Sequence, residues 1–381
     1  MYFLDGQLAK QIVNRTMKII GHNINVMNKY GVIMGSGEPH RIGEVHEGAL
    51  LAISQQRTVE ISRASEDTLQ GVKAGINLPL HYKGDIIGVI GITGEPTELG
   101  HYGELLKMTA EIIVEQANFI EQAQWQSRQK EELIIELIKA DGPFSAHQRS
   151  WASQLNIDLE APRVAAIIQV QTDEEETSAN SMLKQILHLL ENPSRGNLVA
   201  MTSMTELVIL KPAFLDGKAW DAELESERID QLIARLPDEL RSRLKISLGH
   251  FFPQPQQINR SYQTALETLA IGQQMQPSQS KYLYEDYSLL VLLSALKDNW
   301  RGQELMAPYQ SLIDADKNGQ LTKTLTTYLQ HFGDLQQCAS ALFIHRNTLR
   351  YRLDKIEAIT GSNLQQLDGL LQLYLGQVLL E

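Results

Sequence analysis

The chain has 381 residues, with 34 Lys plus Arg, 46 Asp plus Glu and a single cysteine. At roughly 100–200 residues per domain this length holds two to four domains, and 43% hydrophobic with 21% charged residues excludes bulk disorder. The lone cysteine excludes an intramolecular disulfide and a thiolate zinc cluster, which fits a reducing, cytoplasmic setting. A formal charge of -12 excludes a uniformly basic coat, so any contact with DNA must come from a local cationic patch.

The amino-terminal MYFLDGQLAKQIV has neither the basic start nor the apolar core of a signal peptide. The most apolar runs, Ile86 to Gly94 and Leu370 to Leu380, are too short or too polar to span a bilayer, and no membrane partner is expected. Asp5 to Ile20 has helical spacing through Leu8, Ile12, Val13 and Ile19. Strand-like runs follow at Ile24–Asn28 and Val32–Ser36 around Gly31, then a helix over Glu44–Ser54 and a strand over Thr58–Ser62. A second hairpin, Asn77–Tyr82 and Asp85–Thr93, turns at Lys83-Gly84. This order is that of a small PAS-like or GAF-like sheet sensor.

Gly103 to Ala140 predicts one long helix. Two rows at heptad spacing run along it, Leu105, Ile112, Phe119 and Leu106, Ile113, Ile120. A polar middle, QWQSRQKEE, interrupts both. Such a helix can pack on its own sheet, form a dimer seam, or do both. Asp141-Gly142-Pro143 marks a boundary. Beyond it a strand (Arg163–Val170), a helix (Ser181–Leu190), a hairpin (Asn197–Thr202, Leu207–Lys211), a helix (Glu223–Leu236), a strand (Leu244–Gly249) and a helix (Gln256–Gly272) predict a ferredoxin-like βαββαβ domain, the arrangement nucleotide cyclases also use. The central hairpin carries Ser203-Met204-Thr205-Glu206, one acid and no glycine, which cannot hold two metals and a triphosphate. The acidic run Asp173-Glu174-Glu175-Glu176 reads as a solvated loop.

Tyr282 to Glu381 is nearly all helical in pattern. Within it, Leu325, Tyr328 and Leu329 mark a helix that stops at Phe332-Gly333. Asp334 caps a second with Cys338, Ala339 and Leu342 on one face, so Cys338 reads as a core residue rather than a nucleophile. Phe343-Ile344 makes an apolar turn, and His345 to Ile359 forms a third helix with Leu349, Leu353 and Ile356 inward. This is a helix-turn-helix over about residues 323–360. From His345 to Lys355 there are four cations and one acid, a local +3. Arg346, Asn347 and Arg350 suit base edges, since arginine pairs with guanine O6 and N7 and asparagine with adenine N6 and N7. Thr348, Tyr351 and Arg352 suit phosphates.

ALFIHRNTLRYRLDKIEAITG resembles the PucR-type carboxy-terminal helix-turn-helix of bacterial transcription regulators. NINVMNKYGVIMGSGEPHRIGEVHEGAL and GINLPLHYKGDIIGVIGITGEP resemble the recognition domain of the sugar-diacid regulators, and the middle region resembles the degenerate cyclase-like domain of that family. The resemblance covers nearly the whole chain and implies a multidomain α+β protein: a PAS-like sensor with a long helix over 1–140, a degenerate cyclase-like domain over 141–280 and an all-α DNA-binding domain over 281–381. It also implies an activator that senses glucarate, galactarate or glycerate and controls genes for their uptake and catabolism. The expected partners are double-stranded DNA, that effector and further copies of the chain as a homodimer or higher homo-oligomer. No cofactor, metal or catalytic residue is expected; the other reading is a cyclase-like or other small-molecule enzyme fused to a helical interaction domain.

A diacid needs cations or convergent N–H groups for its carboxylates, and amides or hydroxyls for its hydroxyl groups. The loop Gly35 to Gly43 precedes a predicted helix, where N–H groups favour an anion. Candidate ligand residues are Ser36, Arg41, Gly43, His46, Asn77 and Thr93, with Lys73 or Lys83 for the far carboxylate.

Overall fold

The computed structural model describes residues 4–63, 72–171, 176–190, 196–214 and 220–380, and contacts divide the chain into two compact units, Met1–Arg128 and Gln129–Glu381. Of the acidic run, Asp173 to Glu175 lie outside the described residues.

The first unit opens with α1 (Gly6–Ile20), where the Asp5 carboxylate accepts from Leu8 N–H at 2.7 Å and so caps the helix. Five strands, β1 (Ile24–Asn28), β2 (Ile33–Ser36), β3 (Val59–Ile61), β4 (Gly75–Tyr82) and β5 (Asp85–Thr93), pair antiparallel in the order β2-β1-β5-β4-β3. Successive side chains alternate between the faces of the sheet. On one face Ile24, Val26, Ile76, Ile90 and Ile92 pack under Leu8 and Ile12 of α1 and under the long helix α3 (Pro96–Lys139). On the other, Met27, Ile33 and Val89 meet Ala49 and Ala52 of α2 (Glu47–Gln55).

Three local readings shift. The long helix starts at Pro96 rather than Gly103, because proline at the first helical position needs no N–H partner. Helix α2 starts at Glu47 rather than Glu44, because Val45 is held in a β-bridge to Val32 and His46 becomes the N-cap. Of the two heptad rows on α3, Leu106 and Ile113 are buried in the sheet core, whereas Leu105, Ile112 and Phe119 are exposed; Ile120, which the spacing puts in the row of Leu106 and Ile113, is exposed as well.

In the second unit, the end of α3 buries Leu133, Ile134, Leu137 and Ile138 with Ala152 of α4 (Ala146–Gln154). Helix α4 has too few apolar residues for periodicity to reveal it; its sequence signal is the Ser145/Gln148 capping box. A sheet follows from β6 (Arg163–Val170), β7 (Leu198–Met201), β8 (Glu206–Pro212), β9 (Leu244–Leu248) and β10 (Lys281–Leu283), in the order β10-β9-β6-β8-β7. Helices α5 (Glu176–Leu190), α6 (Ala222–Ala234), α7 (Asp238–Arg243) and α8 (Ile258–Met275) complete the βαββαβ pattern. Strand β10 runs parallel to β9, so Tyr282 is a strand residue and not the start of an all-helical segment. Its ring is fully buried and its hydroxyl donates to the carbonyls of Gln276 and Gln279, a tertiary anchorage that three residues cannot announce by pattern.

The remaining helices are α9 (Tyr284–Ser294), α10 (Trp300–Ala315), α11 (Gln320–Gln330), α12 (Leu335–Ala341), α13 (Arg346–Thr360) and α14 (Leu367–Leu380). Leu312, Leu325, Cys338, Leu349, Leu353, Ile356 and Leu373 form one core, which places Cys338 as a buried packing residue. Asp334 caps α12 by accepting from Gln336 and Gln337 N–H.

The two heptad rows of α3 separate cleanly by mutation. Leu106→Ala, at 1% exposure, should cost about 2–5 kcal/mol, while Leu105→Ala, at 54%, should stay within roughly 0.5 kcal/mol, as read by the melting of the full chain.

Candidate ligand pocket and nucleic-acid interface

The α2 side of the first sheet carries a polar row. Register pairs Ser36 with Asn25, Asn25 with Gly91, and Gly91 with Asn77, so these residues line up across β2, β1, β5 and β4. Ser36 Oγ donates to Asn25 Oδ1 at 2.6 Å and accepts from Glu38 N–H at 2.9 Å. Asn25 and Asn77 are buried, as are Arg41 and His46. Thr93 lies two residues beyond Gly91 on the same face, half-buried.

Glycines make the room. A Cβ on Gly91 would lie 3.0 Å from Asn77 Oδ1, and one on Gly48 would lie 3.0 Å from Asn77 Nδ2 and 3.1 Å from His46 Cε1. Asn77, His46 and the first turn of α2 therefore meet. Gly37 stands apart from these: a Cβ there would lie 2.3 Å from Asn23 Oδ1 and 2.6 Å from Met17 Cε, and Met17 packs on the α1-side core. Both side-chain atoms of Asn23, Asn77 Oδ1 and Glu38 Oε2 are buried and lack a hydrogen-bond partner among the described residues. Each such atom costs about 1–3 kcal/mol unless water or a ligand meets it.

His46 caps α2: its Nδ1 accepts from Ala49 N–H at 3.2 Å, which leaves Nε2 to carry the proton. Burial, and then the charge of Arg41, push its pKa down to about 4, so the ring is a neutral donor at neutral pH. Arg41 reaches Glu44 with Nε at 3.8 Å from Oε2. Lys73 holds Glu38 at 2.7 Å, and this contact lowers the Glu38 pKa.

Of the six residues expected for a ligand, Ser36, Asn77 and Thr93 share the face, with Arg41 and His46 beside them. Gly43 does not join: its N–H already donates to the Ile33 carbonyl at 2.9 Å, and its φ of 94° makes it a turn residue. Lys83 sits in the hairpin turn over the Tyr82 ring, six residues along the strand from Asn77, about 20 Å away at roughly 3.3 Å per residue. Reading the sequence missed Asn25, Asn23, Glu38, Gly48 and Gly91. An asparagine inside an apolar strand, as in INVMN, is the one signal that was there to use.

In the second unit, His345 Nδ1 accepts from Asn347 N–H at 3.2 Å and caps α13. Leu349, Leu353 and Ile356 face the core, while Arg346, Asn347, Thr348, Arg350 and Tyr351 are exposed. Arg352 departs from the phosphate role: half-buried, it donates to Thr324 Oγ1 at 3.3 Å and Gln320 Oε1 at 3.2 Å, tying α13 to α11. On the central hairpin of the second sheet Glu206 accepts from Thr202 Oγ1 at 2.6 Å. Among the described residues no group of three His, Cys, Asp or Glu is placed to hold a metal, and no helix is long and apolar enough to cross a membrane.

A buried polar row, a βαββαβ sheet and a helix-turn-helix follow one another along the chain, and the comparisons, which follow the same order, make it a multidomain transcription regulator. The sugar diacid recognition family matches residues 4–137, the GGDEF-like domain residues 141–271 and the PucR carboxy-terminal helix-turn-helix residues 321–377. The chain is 46% identical over 374 residues, 98% of its length and 97% of the relative's, to the carbohydrate diacid regulator of Escherichia coli (strain K12). It belongs to the carbohydrate diacid regulator family. It is also 22% identical, over 82% of its length and 77% of the relative's, to the proline-responsive transcriptional activator PutR of Bacillus subtilis (strain 168). Among solved structures, a regulator of polyketide synthase expression from Bifidobacterium adolescentis matches 66% of this chain and 91% of its own at 17% identity, with a TM-score of 0.31.

His46 sets a pH dependence. Its native pKa of about 4 lies below its ordinary 6.5, so between those values the unfolded chain binds the extra proton. Stability is full above about pH 6.5 and falls as pH drops toward 4, by on the order of 3 kcal/mol from this group. His46→Asn keeps a capping side chain and cannot titrate. The wild type should lose melting temperature over that window by more than the variant does; parallel curves would count against it.

Proposed function

We propose that the chain is a ligand-responsive, non-catalytic transcription activator of the cytoplasm. Its PAS-like sensor binds a sugar diacid or glycerate, with glucarate, galactarate and glycerate as the candidates, and its α13 enters the major groove of an operator that controls uptake and catabolism of that acid. The observation that carries the sensor half is the buried Asn77 Oδ1 without a partner, close to the neutral His46, on which the buried Arg41 acts. Amides and a neutral imidazole donor suit hydroxyls and a carboxylate, and Arg41 supplies the charge. Ser36 and Thr93 add hydroxyls, and Lys73, held by Glu38, is a second cation at the rim. The strand order β2-β1-β5-β4-β3 supports the PAS-like reading.

The helix-turn-helix half rests on the exposed first half of α13. Arg346, Asn347 and Arg350 serve base edges, and Thr348 and Tyr351 serve phosphates. Arg352 acts through the helix it braces. The first division lies at about 140, and the second lies beyond 280, because β10 and the buried face of α9 pack with the second sheet. The chain acts as a homodimer or higher homo-oligomer, which suits two operator half-sites. A ligand switches such a protein only by binding one global state more tightly than the other.

The test titrates glucarate, galactarate and glycerate into the full chain and follows melting temperature, which a bound ligand raises by mass action. One of them should raise it; no shift with any would remove the sensor assignment. Arg41→Ala should abolish that shift and leave operator binding intact. Arg350→Ala should weaken operator binding by about 1–3 kcal/mol, measured at fixed salt; wild-type affinity would strike Arg350 from the interface.

A further inference from the structure

Two phenylalanines of the carboxy-terminal bundle have left-handed backbone, Phe332 with φ 51° and Phe343 with φ 55°. Phe332 lines a groove of about 690 Å³ with Leu370, Leu371 and Tyr374 of α14. Both side chains stand almost wholly exposed, and Phe343 is the one that adjoins α13. Helix α12 ends with Phe343 N–H donating to the Ser340 carbonyl at 3.2 Å and Ile344 N–H donating to the Ala339 carbonyl at 3.0 Å. That pattern puts Phe343 at the left-handed position which glycine normally takes. Ile344 turns back onto the bundle core, while the Phe343 side chain is 95% exposed. A bulky side chain in this conformation is strained, and an exposed ring gains nothing from burial. Folding alone would favour glycine there on both counts.

The position supplies a use. Phe343 stands two residues before His345, the cap of α13, and three before Arg346. In helix-turn-helix proteins this end of the recognition helix meets base edges in the major groove. A phenyl ring can neither donate nor accept a hydrogen bond, and the apolar group that the major groove presents is the C5-methyl of thymine, a known partner for phenylalanine. The local charge of α13 brings the polyanion to this end. We propose that Phe343 is a specificity-determining contact which packs on a thymine methyl next to the bases met by the first turn of α13. The inference rests on the DNA-binding reading above and adds the base and the atom.

The full chain is used to select its operator from genomic fragments, and each thymine of that operator is then replaced in turn by deoxyuridine, which removes only the methyl. At one thymine in each half-site, deoxyuridine should weaken wild-type binding about three- to tenfold. Phe343→Gly should melt no lower than wild type, since glycine suits the left-handed turn. It should bind the thymine operator about as weakly as wild type binds the deoxyuridine one, and be indifferent to the exchange at that position. Three results would overturn the proposal: wild-type indifference to deoxyuridine at every position, full affinity in Phe343→Gly, or a variant that falls below wild type by the same factor on each operator and so still responds to the exchange. Failure to select any fragment would instead bring down the DNA-binding reading, and this one with it.

Discussion

A polar row buried against one face of a β-sheet is the constraint on which the first unit depends. The opposite face is filled by isoleucines, valines and leucines and needs nothing beyond close packing. The α2 face holds Asn25, Asn77, Arg41 and His46 at the same depth, and each must find polar partners or cost free energy. Part of the answer is internal: Ser36 donates to Asn25, and His46 accepts from the first turn of α2. What is left over on that face is Asn77 Oδ1, which stands by Gly91, with His46 beside Gly48. Gly48 and Gly91 leave room there: a Cβ at either would crowd Asn77 at 3.0 Å, and at Gly48 it would also meet Ile61 Cδ1 at 2.6 Å.

Electrostatics organise the same region. Burial and Arg41 both disfavour a second cation, so His46 stays neutral, and with Nδ1 engaged by Ala49 its Nε2 becomes a donor of fixed direction. Glu38 and Lys73 satisfy each other nearer the surface. The second unit partitions its cations by burial instead. Arg352 braces α13 against α11 through Thr324 and Gln320, whereas Arg346 and Arg350 project outward from the same helix. One helix thus carries one arginine that braces a neighbour and two that stand in solvent, and position around the helix decides which is which.

Much of this was legible in the residues. Alternation gave the strands to within a residue or two, because a half-buried sheet imposes a period of two. Heptad spacing located α3 but gave two rows. Only the sheet decides that Leu106 and Ile113 turn inward and Leu105, Ile112 and Phe119 outward. The short pieces, α4, α7 and β10, escaped because fewer than ten residues carry little periodicity, and β10 exists through its pairing with β9. Residue chemistry singles out Ser36, Arg41, His46, Asn77 and Thr93, while where the N–H of Gly43 is spent and how far Lys83 lies from the polar row depend on the folded path.

By itself, then, the order of residues determined the helix-turn-helix, its +3 helix in an acidic chain and the kind of groups that gather in the sensor. These are local matters of spacing, charge and capping. Tertiary structure alone decided that Asn25, Gly91 and Asn77, distant in the chain, form one row, that Arg352 is spent on a neighbouring helix, and that Phe343 stands in water at a position built for glycine. Strand register and helix packing set those outcomes, and both arise from contacts between residues that no local pattern relates.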